Sequence, residues 1–292
     1  MVHLIETAEQ ATPAWFTAVM QANGHDVRVT DVTATPVGTG QMAENSRFHL
    51  RYDGETDAPA TLVGKFPSQN EASRAAGAHG AGLHGPRWND ESLFEIEGMT
   101  RLDDTDSIDF LAMLVAQMMP GFIERYRAHL SEDDVAILTM FADRIGTWLT
   151  RDLPGFALVH GDYRLDNLLF SPANAAGAPP VSAVDWQTIT VGAPVNDLSY
   201  FLGNGLLPPE RREAEHDLVI AYHQELVGLG VDISLDTVVE EYRWGSFHGP
   251  LITVLGSMMV VQTDRGDEMF MAMISRSLEQ IRDLNAADLL AS

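Results

Sequence analysis

His160-Gly161-Asp162-Tyr163-Arg164-Leu165-Asp166-Asn167 is the stretch on which the reading of this chain turns. A short apolar run, Ala157-Leu158-Val159, leads into it, and another, Leu168-Leu169-Phe170, leads out. Ser171 to Pro180, rich in Pro, Ala and Gly, reads as a turn. Val181-Ser182-Ala183-Val184 then makes a second short strand that ends at Asp185-Trp186. Two strands thus flank a loop, with acidic groups at their ends.

That arrangement suits phosphoryl transfer, which needs a carboxylate to accept the proton of an attacking hydroxyl and hard oxygen ligands for Mg²⁺. Asp162 is the candidate base. Asn167 follows it at the Asp-to-Asn spacing of a kinase catalytic loop, and its amide oxygen can bind metal without adding negative charge. Asp185, at the end of the next strand, is the main candidate metal ligand. His160 and Arg164 suit holding the loop better than chemistry. Taken singly, each acid is more often a turn residue bonding its own backbone; it is the ordered set that points to a site.

The set formed by His160 to Asn167, Val184-Asp185-Trp186 and Asp197-Leu198-Ser199-Tyr200 resembles the aminoglycoside phosphotransferase superfamily. Within it, the choline-kinase-like and ecdysteroid-kinase-like (CHK kinase-like) branch fits best. The resemblance runs from Trp88 to the C-terminus and takes in parts of residues 12–75. It implies an α+β, protein-kinase-like two-lobe fold, with a small antiparallel-sheet N-lobe over 1–78 and a large, mainly helical C-lobe over 79–292. It also implies an ATP- and Mg²⁺-dependent enzyme acting on a small hydroxylated substrate. Asp197 matches a family position that braces the catalytic loop.

The totals agree with that class and exclude others. The chain has 292 residues, long enough for a substantial core. Its formal net charge of −24 disfavours nucleic-acid binding, because a phosphate backbone attracts basic surfaces. No cysteine is present, so thiol chemistry is excluded. The longest apolar stretch, Pro250 to Val261, is too short to span a bilayer, and no signal peptide opens the chain, so a cytoplasmic protein without a membrane span is expected.

Thr12-Pro13 opens a helix, Thr as N-cap and Pro at the first helical position, with Trp15, Phe16, Val19 and Met20 on its apolar face. Val27 to Val37, Ser46 to Tyr52 and Thr61 to Phe66 read as three strands. Gly38, Gly40 and Gln41 lie in the loop between the first two, whose backbone amides can cover nucleotide phosphates. Hairpins need glycine as well. Lys65 matches the lysine that contacts the α/β-phosphates in kinases, against the plainer reading of an edge-strand lysine.

Beyond Lys65 the family pattern breaks. The resemblance leads one to expect a helix carrying a glutamate partner for Lys65, further strands and an adenine-binding hinge. Instead Ser73 to Ala78 passes at once into His79-Gly80-Ala81-Gly82-Leu83-His84-Gly85-Pro86-Arg87-Trp88, which resembles a segment beyond the hinge. Glu71 sits too early to be the partner. Only three clear strands are therefore expected, with no Lys65–glutamate pair, and the open sheet face could be covered by a second copy of the chain, giving a homo-oligomer. The histidines at 79 and 84 read as loop or helix-surface residues.

From Asp109 the chain turns helical. Ile108, Leu111, Leu114, Val115 and Met118 form one stripe, and Val135 to Leu149, after a capping box at Ser131 and Asp134, another. Pro209 opens a helix with Leu218, Tyr222 and Leu226, and Ser234 caps the next. Phe270, Met273, Ile274, Leu278 and Ile281 mark a last amphipathic helix, with Arg265-Gly266-Asp267 as a turn before it. Glu240, Glu241, Tyr242, Trp244 and His248 are possible acceptor-lining residues, the glutamates more simply surface charge. Two readings stay open: a kinase for a small hydroxylated compound, or a catalytically impaired pseudokinase that binds a metabolite or protein partner.

Overall fold

The structure, a computed structural model, describes residues 10–36, 43–54, 56–67, 79–96, 100–101, 105–170 and 181–291. The chain divides into two units, Met1–Arg74 and Ala75–Ser292.

In the first unit, α1 (Pro13–Ala22) begins where the Thr12 side chain accepts the amide of Trp15 at 3.2 Å. It packs on a three-stranded antiparallel sheet, β1 (Val29–Pro36), β2 (Ala43–Tyr52) and β3 (Thr61–Pro67), in that order. Alternation along β2 buries Phe48 and Leu50 and exposes Arg47, His49 and Arg51. The buried set meets Phe16, Met20 and Val29 in a small core. Lys65 lies on β3 opposite Asn45 of β2. Its side chain lies outside the described residues, as do Gly38, Gly40 and Gln41, and so does the segment from Glu71 to Ala78 on which the expected missing helix turns.

The second unit opens with helical residues 79–84 (α2), followed by 3-10 turns at Gly85–Arg87 and Glu91–Glu95 and a short strand, β4 (Thr100–Arg101). α3 (Thr105–Tyr126), α4 (Glu132–Asp143) and α5 (Ile145–Leu149) follow. β5 (Ala157–Val159), β6 (Leu168–Phe170), β7 (Val181–Ala183) and β8 (Thr190–Gly192) frame the catalytic-type segment. Six helices complete the unit: α6 (Val195–Gly205), α7 (Pro208–Gly228), α8 (Leu235–Gly245), α9 (His248–Met259), α10 (Asp264–Asp283) and α11 (Ala287–Ala291). β8 pairs in parallel with β4 and antiparallel with β5, while β6 and β7 form a hairpin.

The main core sits between α3, α4, α9 and α10, where Phe122, Leu138, Phe141, Phe247, Val254 and Ile281 are fully buried. Burying each such side chain contributes roughly 1.5–3 kcal/mol. By length and composition α3, with the turn after it (Thr105–His129), could cross a membrane. Here its stripe of Val115, Met119, Phe122 and Tyr126 packs into this core.

Three sequence expectations need correction. The helix expected to run through to Leu149 breaks at Arg144, whose φ of −112° and ψ of 13° lie outside the helical range. The break leaves the Trp148 indole donating to the carbonyl of Trp244 at 2.9 Å and its ring edge-on to Phe141. Arg265-Gly266-Asp267 is the first turn of α10, capped by Thr263, and not a separate turn. The Asp267 carboxylate accepts from Tyr126 at 2.6 Å, which ties that turn to α3. Glu241 is not surface charge: it is buried and faces the Arg151 guanidinium at 3.3 Å.

Candidate active site

β5 delivers the chain to His160, and the turn that follows depends on glycine. Gly161 has φ +80°, and a Cβ there would meet the Thr188 carbonyl oxygen at 2.7 Å. Only glycine combines that backbone with that approach. The turn's polar groups are held from several directions. The Asp197 carboxylate, at the start of α6 and fully buried, accepts the amides of His160 at 2.7 Å and Gly161 at 2.9 Å. Thr188 donates its hydroxyl to the His160 carbonyl at 2.7 Å, and His248 sits 2.9 Å from the Gly161 carbonyl.

The His160 ring lies between Val184 and Asp162. Its Nε2 is 2.9 Å from the Val184 carbonyl, and its Nδ1 accepts the Asp162 amide at 3.3 Å. A carbonyl can only accept and an amide can only donate, so the proton belongs on Nε2. His160 thereby couples the loop to the end of β7, one residue before Asp185.

Asp162 is surrounded by donors. Asn167 gives its amide nitrogen to both the Asp162 carbonyl and Oδ2, each at 2.9 Å. Tyr200 donates to Oδ1 at 3.1 Å, and the Arg164 Nε lies 3.5 Å from the same oxygen. Burial first, and the Asp162 charge second, push the Tyr200 hydroxyl well above its ordinary value, so it remains a donor. With the Asn167 nitrogen engaged by Asp162, its amide oxygen is the atom left to meet a cation.

Asp185 stands apart. It is exposed and holds φ 64° and ψ 62°, a left-handed conformation rare for a non-glycine residue. The conformation costs roughly 1–2 kcal/mol, and such strain collects at functional positions. The Val184 amide bonds to the Asn167 carbonyl at 2.9 Å, so backbone pairing brings Asp185 to the neighbourhood of Asn167. Among the described residues no group of three or more His, Asp or Glu side chains could hold a metal. A magnesium bound largely through nucleotide phosphates and water needs only one or two protein oxygens, and the pair Asn167 and Asp185 fits that donor set.

Several residues around the site carry no local sequence signal. His84, expected at a loop or helix surface, is fully buried. Its Nε2 is 3.2 Å from Asp197 Oδ2 and its Nδ1 2.7 Å from the Tyr222 hydroxyl. His248 is buried behind Gly161, and Tyr242 is buried with its hydroxyl on Glu215 at 3.1 Å. Glu241, Tyr242 and His248 are therefore packed in the interior. Tyr200 could have been found from spacing, since it follows Asp197 by three positions on one helix face.

An antiparallel-sheet unit, a mainly helical unit and a loop that joins Asp162 to Asn167 define a kinase-like α+β protein. More particularly, the chain belongs to the ecdysteroid kinase-like family, whose model matches residues 83–232. A 62-residue stretch is 39% identical to acyl-CoA dehydrogenase family member 11 of Rattus norvegicus, covering 20% of this chain and 8% of that protein. The human protein of the same name is 32% identical over 82 residues, 27% of this chain and 10% of its own length. These matches span no more than a tenth of either relative. Among solved structures, Plasmodium vivax ethanolamine kinase is 10% identical with a TM-score of 0.40, covering 97% of this chain and 90% of that one. The GDP complex of an aminoglycoside 2′-phosphotransferase-IIIa mutant is 14% identical with a TM-score of 0.40, covering 94% and 98%.

Proposed function

We propose that the chain is an ATP-dependent phosphotransferase that acts on a hydroxyl of a small molecule. The single observation that carries this reading is the Asp162 carboxylate, fixed at both oxygens by Asn167 and Tyr200 on a loop that Asp197 braces. The acceptor's hydroxyl oxygen bonds to the γ-phosphorus, the bond to the ADP oxygen breaks, and the hydroxyl proton passes to Asp162. Fixing both carboxylate oxygens holds the base in position before the acceptor arrives. Asn167 through its amide oxygen and Asp185 through its carboxylate would hold Mg²⁺, which when bound neutralises charge on the phosphate oxygens. Lys65 would contact the phosphates, and the loop bearing Gly38, Gly40 and Gln41 would cover them.

The second reading, a catalytically impaired binder, is favoured by one observation: among the described residues the sheet of the first unit has three strands. A chain that lacks the hinge, as the sequence leads one to expect, would deny adenine its usual backbone partners, and a nucleotide dissociation constant of about 1 mM, or about 4 kcal/mol, would follow. Ten-millimolar Mg-ATP should then stabilise the protein by about 1.4 kcal/mol, a rise in Tm of about 2 °C. A nucleotide-dependent shift together with ADP release in the presence of a hydroxylated acceptor supports the enzyme. A shift without turnover over a broad acceptor panel supports the binder.

A further inference from the structure

A cavity of about 310 Å³ adjoins the catalytic-type loop, lined by Arg164, Leu165 and Asp166 on one side and by Met269, Met273 and Arg276 of α10 on the other. It begins beside the candidate base, because Arg164 Nε is 3.5 Å from Asp162 Oδ1. Asp162 itself lines neither this cavity nor a larger one of about 410 Å³ bounded by Trp148, Arg151, Phe156 and Val191, but of the two the smaller includes its neighbour Arg164. The smaller one is within the size range of ligand sites.

Its walls combine two chemistries. Leu165 and Met269 are large apolar side chains left 43% and 41% exposed, and Met273 continues their surface inward. Arg164 and Arg276 bring two guanidinium groups, in a chain with 42 acidic and 18 basic residues. Arg211, Arg212 and Arg282 are each held by carboxylates. Among the described residues no carboxylate lies within ion-pairing distance of Arg276, whose Nη1 donates to the Asn204 carbonyl at 2.8 Å. Arg164 is already shared between Asp162 at 3.5 Å and Asp166 at 3.7 Å. The four charges sum to zero, but Arg276 stands beside the apolar wall without a carboxylate of its own among the described residues.

We propose that this cavity receives the acceptor, and that the acceptor it selects is a hydroxylated carboxylic acid with an apolar body. The carboxylate meets Arg276, the carbon chain lies on Leu165, Met269 and Met273, and the hydroxyl reaches Asp162. A guanidinium fork matches a carboxylate, and Arg276 has no carboxylate partner among the described residues. A cationic head group placed at Arg276 would meet like charge and is disfavoured there. The proposal rests on the reading of Asp162 as the base.

The test offers 8-hydroxyoctanoate, its methyl ester and 8-amino-1-octanol to the full chain with Mg-ATP, and measures binding of each by calorimetry without nucleotide. The acid should bind and turn over at least tenfold better than the ester, with the amine weakest. Arg276→Gln should lower the acid-over-ester preference about tenfold, the effect of one charge-assisted hydrogen bond. Arg276→Lys should keep most of the preference. Met269→Glu, which adds a carboxylate at an exposed position, should also lower it and does not depend on the bond Arg276 makes to Asn204. Absent binding of the acid, equal binding of all three compounds, or a preference that neither Arg276→Gln nor Met269→Glu alters overturns the assignment, even where phosphotransfer occurs. Acid-selective binding that Arg276→Gln abolishes, without any turnover, supports the cavity assignment and removes the phosphotransfer reading instead.

Discussion

The two sides of the catalytic-type loop are built on opposite terms. On the Asp197 side every group is buried and bonded: Asp197 accepts two loop amides and faces His84, while His84 contacts Tyr222. On the Asp185 side the carboxylate is exposed and its backbone is left-handed. An acid that already accepts three donors inside the protein has little left for a cation. An exposed acid in a costly conformation contributes little to folding and is available for ligand. The same residue type thus serves structure on one side and chemistry on the other, and substitutions should separate the two.

The largest effect is expected at Asp162, which lies between the two sides. Asp162→Asn should lower phosphotransfer by about 10²–10⁴-fold, the usual contribution of a general base. The Tm should hardly move, because the new amide oxygen can accept from Asn167 while its nitrogen donates to the Tyr200 hydroxyl. Unchanged turnover in a clean preparation would remove Asp162 from the role of base.

Asp197→Ala comes next, as a stability effect. It strips two buried amides of their acceptor and leaves His84 without its partner, at a cost of about 3 kcal/mol. Thermal denaturation should show Tm lower by about 5 °C. An unchanged Tm with lost metal binding would place Asp197 among the metal ligands and erase the contrast.

Asp185→Gly should act in the opposite sense. Glycine relieves the left-handed backbone, so stability should rise by about 1 kcal/mol while Mg-nucleotide binding weakens. The loss of Mg-nucleotide affinity should also exceed that of Asn167→Ala, since a carboxylate contributes more to a hard cation than a neutral amide. A fall in stability at Asp185→Gly, with nucleotide affinity intact, would mean that Asp185 belongs to the structural side.

The smallest effect is a slope. Burial holds the His248 imidazole below its ordinary value, and its Nδ1 is buried without a hydrogen-bond partner. Its folded pKa lies under the unfolded value of about 6.5, so as pH falls the unfolded chain takes up the proton first. The stabilisation is fully present above about pH 6.5 and is lost as pH drops toward the folded value, by at most about 1.4 kcal/mol per pH unit. His248→Gln, which can still donate to the Gly161 carbonyl, should flatten the Tm-against-pH curve in that window. A curve identical to the parent's would show that His248 does not carry the slope.

What the sequence made legible was local. The caps at Thr12, Ser131 and Ser234 depend on neighbours within a few positions and can be read from spacing alone, whereas the order of acids from Asp162 to Asp197 is legible through its resemblance to a family. The partners of Asp197 were not legible in the same way. His84 lies 113 residues before it, and nothing in Leu83-His84-Gly85 distinguishes a buried histidine from a surface one. Arg276 is likewise one more charge on an amphipathic helix until α10 is seen beside Arg164. The break at Arg144 leaves no mark in the sequence because apolar spacing continues through it, and the tertiary fit of Trp148 decides where the helix stops.

The contact between His248 and the Gly161 carbonyl spans 87 residues of chain. At a synthesis rate of 5–20 residues per second, the histidine emerges about 4–17 s after the glycine it supports. For that interval the nascent loop carries its acids without the plug behind them. The Gly161 carbonyl therefore gains its histidine partner only after α9 has been made and has docked, later than the Asp197 brace on the same turn.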